Sequence, residues 1–244
     1  METLRPQLFG LLAGLFLAAG LCLASLILAN TWTRLYESQV ISITGSARRD
    51  VTSDLVIWRA RFAVQADTLM EAQQRLKDDR GKVEGWLRLR GLQDFQVRPV
   101  QISEIRSRPN RDDDTTTKLL GYRISQGVEV VSPKVEQLPR IASDSTELLE
   151  QGVAFVSEQI DFIYTKAGEA KVELMAEATT DARARAEQIA AQGGRHLKGL
   201  RSARMGVVQI NPRYSTATSW EGNNDISSPE KTITTTVSAT FSLR

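Results

Sequence analysis

The chain has 244 residues and nearly balanced charge, with 31 Lys and Arg against 29 Asp and Glu and a net charge of +2. That balance argues against a nucleic-acid surface, which carries a large clustered positive excess. A single cysteine excludes an intramolecular disulfide, and a chain of this length can bury an adequate core without one.

Residues 8–29 (LFGLLAGLFLAAGLCLASLILA) are uncharged and mostly apolar. At ~1.5 Å per helical residue the run covers ~30 Å, about one bilayer core. It is longer than the ~7–15-residue apolar region of a signal peptide, and its best exit site, Ile27-Leu28-Ala29, lacks the small residue two positions before Ala29. A membrane anchor within residues 1–30 is expected, with a cleaved signal as the alternative. Arg5 and the amino terminus precede the run, an arrangement that favours a cytoplasmic N-terminus and places residues 30–244 outside. Trp32 and Tyr36 follow at the depth where aromatic rings settle at an interface. Gly10, Gly14, Ala18 and Cys22 recur at every fourth position, a candidate stripe for packing two membrane helices, although Gly and Ala are common in such helices anyway.

A linker over 31–39 leads to one soluble region, 40–244. Residues 40–46 read as a short strand, with a turn starting at Gly45-Ser46. Residues 51–65 alternate with period two and predict a half-covered antiparallel strand. Leu69, Ala72, Leu76, Val83 and Leu87 predict a helix over 67–89, with Gly91 at its C-cap. Residues 94–106 and 119–131 form a long hairpin, Pro99 marking a bulge or an edge. The polar loop 107–117 between them holds Asp112-Asp113-Asp114, which lacks calcium-loop spacing and is expected to be solvated.

Ser132-Pro133 is expected to open a second helix, kinked or restarted at Pro139 and ended at Gly152. A strand over 153–164 places Ala154, Val156, Ile160, Phe162 and Tyr164 on one face. A helix over 168–192 carries Val172, Met175, Ala178, Thr179, Ala182, Ala186 and Ile189 on one stripe. The stretch Arg195–Arg201, with the lone histidine His196, reads as a solvated turn. A strand over 202–210 precedes a polar loop, 211–230, expected to be mobile. In the last strand, 231–243, Ile233, Thr235, Val237, Ala239, Phe241 and Leu243 face one way. Thr234, Thr236, Ser238, Thr240 and Ser242 face the other, a polar uncharged surface suited to solvent or to another copy. The order ββα-ββα-βα-ββ is α+β, a largely antiparallel sheet with helices on one face, following an N-terminal transmembrane helix.

Three strings carry a family resemblance: VISITGSARRDVTSD; Leu120-Gly121-Tyr122-Arg123-Ile124-Ser125 with Val128-Glu129-Val130; and Asp181-Ala182-Arg183-Ala184-Arg185-Ala186-Glu187-Gln188-Ile189-Ala190. In their order and spacing over 40–243 they resemble the SIMPL-domain family of bacterial envelope proteins. Gly45-Ser46-Ala47 departs from that family in lacking an acidic residue, and the loop 195–203 is longer. The resemblance implies an exported or membrane-anchored protein with an α+β fold. Together with the anchor and its flanking charge, the expectation is a single-pass protein of the bacterial inner membrane with its soluble part in the periplasm. Some relatives are linked to envelope or oxidative stress, and some self-associate. The resemblance implies no catalytic residues.

The residues themselves supply no catalytic, cofactor or metal constellation. His196 has no evident Ser, Cys or Asp partner, Gly193-Gly194 follows a helix instead of opening one, and zinc spacing is absent. Trp220, in the polar loop, is a candidate partner contact. The expectation is a non-enzymatic membrane protein that self-assembles or binds an envelope partner. The alternative is a binding module for a small envelope ligand or cell-wall fragment, which a pocket lined by Trp58, Trp86 or Tyr122 would favour. An enzyme would show perturbed titratable groups clustered in one cavity.

Overall fold

The computed structural model describes residues 5–36, 39–107 and 117–244; the triplet Asp112-Asp113-Asp114 lies outside them. Helix α1 (Arg5–Tyr36) contains the apolar run. Gly10–Trp32 is long and apolar enough to cross a membrane and is exposed on every side, a property shared by an anchor and a signal sequence.

The strands are β1 (Val40–Thr52), β2 (Leu55–Ala66), β3 (Phe95–Val97), β4 (Gln101–Arg106), β5 (Leu119–Ser132), β6 (Phe155–Ile163), β7 (Leu197–Met205), β8 (Gln209–Pro212) and β9 (Glu230–Leu243). The remaining helices are α2 (Leu69–Leu89), α3 (Gln137–Asp144), α4 (Glu147–Glu150) and α5 (Ala167–Gln192). The α+β class expected from the sequence is what the chain adopts, with the strands in two sheets. One has β9 flanked by β1 and β7, with β8 also on β9; the other runs β3-β5-β2-β6, with β4 also on β5.

The chain divides into two compact units. One comprises residues 1–47, 175–206 and 236–244, and the other residues 48–174 and 207–235. In the larger unit α2 starts at its N-cap Thr68, whose hydroxyl accepts the Glu71 N–H, and ends before Gly91 at φ 76°. Its buried stripe Ala72, Leu76, Val83, Trp86 and Leu87 packs with Val56, Trp58, Ala60 and Phe62 of β2 and Ile124, Val128 and Val130 of β5. Trp58 lies edge-on to Trp86 and Phe155, with centroids 6.4 and 5.8 Å apart. At the end of β5, the backbone of Gly121 crosses so near Ala66 that a Cβ would lie 2.7 Å from its carbonyl oxygen.

In the smaller unit Ala182 and Ala186 of α5 pack on Ala239 and Phe241 of β9, with Ile41, Ile43 and Leu197 beside them. Backbone of β1 and α5 meets here: a Cβ on Gly45 would lie 2.2 Å from the Ala178 carbonyl oxygen.

Several expectations are corrected. Strand β1 runs unbroken through Gly45-Ser46, because that glycine permits a close approach to the helix instead of making a turn. The break comes at Ser53-Asp54. Pro99 splits the expected 94–106 strand into β3 and β4, both on β5. The second helix begins at Gln137, so Pro139 and not Pro133 occupies a first turn, where a missing N–H costs nothing. In β6 the pairing slips between Arg59 and Ala60, leaving Glu158 as an extra residue. That bulge reverses the alternation: Phe155 is buried while Val156 is exposed. On α5 the buried stripe is Ala170, Leu174, Ala178, Ala182, Ala186 and Ala190, whereas Val172 and Ile189 are exposed. Small side chains there suit the close approach of β1. The expected 202–210 strand is two strands, β7 and β8, and the basic stretch Arg195–Arg201 enters β7 instead of forming a turn, its Arg195, Lys198 and Arg201 side chains exposed and Leu197 half-buried.

Candidate functional site

The face of β9 opposite the core carries the hydroxyl row expected from the sequence. In the smaller unit the Ser42 and Thr240 hydroxyls meet at 2.9 Å and those of Thr44 and Ser238 at 3.1 Å, tying β1 to β9. Ser202 and Arg204 of β7 stand opposite Thr240 and Ser238. Across residues 40–47 of β1 and 236–243 of β9 this face has no charge, and Ser42, Thr44 and Ser238 are exposed; farther along β1 the same face carries Arg48 and Asp50. On the helix side, Asp181 accepts the Ser46 backbone N–H at 2.8 Å and pairs with Arg185 at 2.9 Å. Those two contacts, the Ser46 N–H first, hold its carboxyl below the usual range. Asp181 and Ala182, part of the most specific family string, thus clamp a strand to a helix.

In the larger unit, segment 207–235 is internally cross-linked, not the slack loop its composition suggests. The buried Gln209 amide donates to the Ser219 carbonyl and accepts the N–H groups of Ser219 and Asn223. The Asn211 amide donates to the Ala217 carbonyl and accepts from Asn223. Lys231, 1% exposed, donates to the Asp225 carboxylate at 2.9 Å and to its carbonyl at 2.6 Å. Burial works to raise the Asp225 pKa, but hydrogen bonds from Ser227 and Lys231 outweigh it and lower the net value. From this frame Trp220 projects 85% exposed. Sequence reasoning missed Tyr214, which is also well exposed and holds φ at 70°, a region costly for a non-glycine residue. Nothing in its sequence neighbourhood announces that conformation.

The open face of the five-stranded sheet carries an ion-pair relay. Arg98 lies across Gly127 and reaches Glu129, Glu129 accepts from Arg59 at 2.9 Å, and Arg59 pairs with Asp161. The Arg98 and Arg59 guanidiniums depress the Glu129 pKa. Every charge in this relay has a partner, which suits a structural role.

The tryptophans do not form a pocket. Trp58 and Trp86 are core, with indole N–H groups donating to Ser157 Oγ at 2.8 Å and Glu147 Oε2 at 3.2 Å. Tyr122 is half-buried on β5 and lines none of the main clefts. His196 is exposed, its backbone paired with Arg244. Among the described residues no three His, Cys, Asp or Glu side chains converge as metal ligands. Gly10, Gly14, Ala18 and Cys22 are all exposed on α1, and among the described residues nothing outside the helix's own neighbouring backbone comes within 4 Å of where a Cβ would stand on either glycine.

The SIMPL family, described as a protein of unknown function (DUF541), matches residues 41–241. The chain belongs to this family. No curated protein matches it.

Proposed function

We propose that this is a non-enzymatic, membrane-anchored envelope protein with its soluble part in the periplasm, acting by assembly with itself or with an envelope partner. The observation that supports assembly most directly is the uncharged hydroxyl stretch of β1 and β9 around Ser42, Thr44, Ser238 and Thr240, of which the first three are exposed. A hydroxyl patch of this kind can be covered without stranding an ion, provided the partner leaves Arg204 at its edge in water. The N-terminal span supports anchoring, and Arg5 before it supports a periplasmic soluble part. A role in envelope or oxidative stress accords with the family resemblance and predicts peroxide sensitivity in a deletion strain.

Light scattering on the full-length, detergent-extracted protein tests the assembly reading. A discrete oligomer is expected, and Ser42→Lys should lower its mass while the monomer stays folded by circular dichroism, the loss of the exposed Thr240 contact costing about 1 kcal/mol at most. A wild-type monomer that yields no crosslinked partner in cells overturns the reading. Protease added to spheroplasts tests placement: the soluble part should be cut, and full protection would put it in the cytoplasm.

A further inference from the structure

Gln126 breaks the apolar row of β5. Ile124, Val128 and Val130 face the core at 2%, 2% and 1% exposure, and Gln126 shares their face at 7%. It sits opposite the buried Phe62. A buried amide among core side chains is the informative kind of exception. Its Nε2 donates to the Arg98 carbonyl at 2.9 Å, which fixes the amide plane. Its Oε1 accepts no hydrogen bond among the described residues and is not sealed from solvent.

That oxygen belongs to a side chain lining a cleft of about 400 Å³ between α2 and the β3–β4 connection. Met70, Gln73, Gln74, Lys77 and Arg80 of α2 line it at helical spacing, the stripe beside the buried one. Leu76 and Val100 complete the apolar wall. The Arg80 Nε is taken by Glu84 at 2.6 Å, whereas Lys77 has no acidic partner among the described residues. No carboxylate lines the cleft. It therefore offers a fixed acceptor, a free cation and an apolar wall, within the size range of small-molecule sites.

The geometry points to a binding site for the C-terminal residue of a short peptide, with its amide N–H on Gln126 Oε1, its carboxylate on Lys77 and its apolar side chain against Met70, Leu76 and Val100. A carboxylate on an ammonium makes a charge-assisted bond, stronger than a neutral one. This site is independent of the assembly face.

Equilibrium dialysis of the full-length protein in detergent against radiolabelled N-acetyl-leucine tests the assignment. Saturable binding is expected. Unlabelled acetyl-Gly-Gly-Leu should compete, and N-acetyl-leucinamide, lacking the carboxylate, should not. Gln126→Leu and Lys77→Met should each weaken binding about tenfold or more, the loss of one hydrogen bond to a charged or buried group. Lys77 is exposed, so its substitution keeps the fold, and an unchanged oligomer mass separates this result from the assembly reading. No saturable binding at millimolar ligand, equal competition by the amide, or undiminished binding by the Lys77→Met variant overturns the assignment.

Discussion

Gly45 stands against the backbone of Ala178: a Cβ on it would lie 2.2 Å from the Ala178 carbonyl oxygen and 2.4 Å from the Ala182 nitrogen. Both nearest atoms are main chain, so no rotamer change relieves the overlap. Gly45→Ala should destabilise by about 3 kcal/mol, the upper part of the usual overpacking cost, read as a shift in the urea midpoint. Ala182→Gly removes only the more distant Cβ, so it should not rescue Gly45→Ala. Recovery by that double variant would mean that the side-chain contact sets the spacing.

Lys231 and Asp225 form an almost dry pair, with side chains 1% and 10% exposed. Removing one partner strands the other. Asp225→Ala should cost about 3–5 kcal/mol, typical of a broken buried pair, and should also release Ser227 and Ser228, whose N–H groups the carboxylate accepts. Hydrogen exchange should show segment 211–230 losing protection in this variant while β2 and β5 keep theirs. Uniform loss everywhere would show that the segment does not open separately.

The carboxylates set opposite pH trends. Glu129 is depressed by Arg98 and Arg59. At Asp54 burial pushes upward, but the Thr165 hydroxyl and N–H outweigh it and the net pKa falls. Groups with a lowered folded pKa contribute stability above their unfolded value, about 4, and lose it as pH falls through the folded value. The unfolding midpoint should therefore drop steeply below about pH 4. Asp79 runs the other way: burial raises its pKa, and Lys82 at 3.6 Å only partly offsets that. Its charge is unfavourable in the folded state once pH exceeds the unfolded value. Asp79→Asn should raise the midpoint at pH 7 and leave it unchanged at pH 3. A lowered midpoint at pH 7 would mean the Lys82 contact dominates.

The two alternating strands and the amphipathic helix of the larger unit were legible, because burial of Val56, Trp58, Ala60 and Phe62 against Ala72, Leu76 and Val83 imposes periods that composition records. The polar face of β9 was legible for the same reason. What escaped depends on backbone contacts between distant segments. Gly45 reads as a turn residue until Ala178 lies against it, and Glu158 reads as a regular strand residue until β2 fixes the register. The segment 211–230 has the composition of a slack loop, and its order comes from Gln209, Asn211 and Lys231 acting from buried positions. Gln126 alone carried a readable signal, as a polar residue in the row Ile124–Val128–Val130.

Trp220 separates stability from contact. At 85% exposure its ring buries little of its surface, so Trp220→Ala should leave stability within about 0.5 kcal/mol of wild type. The frame beneath it is fixed through Gln209, whose amide holds the Ser219 carbonyl at 2.7 Å, one residue before the tryptophan. A large aromatic on a fixed backbone has only two side-chain torsions to order on contact, which is the usual profile of an interface anchor. A photo-crosslinker placed at Glu221 should capture a partner in wild-type cells, and Trp220→Ala should reduce that capture severalfold at equal expression. Undiminished capture would move the contact away from Trp220, and a large stability loss would show that the indole serves the fold.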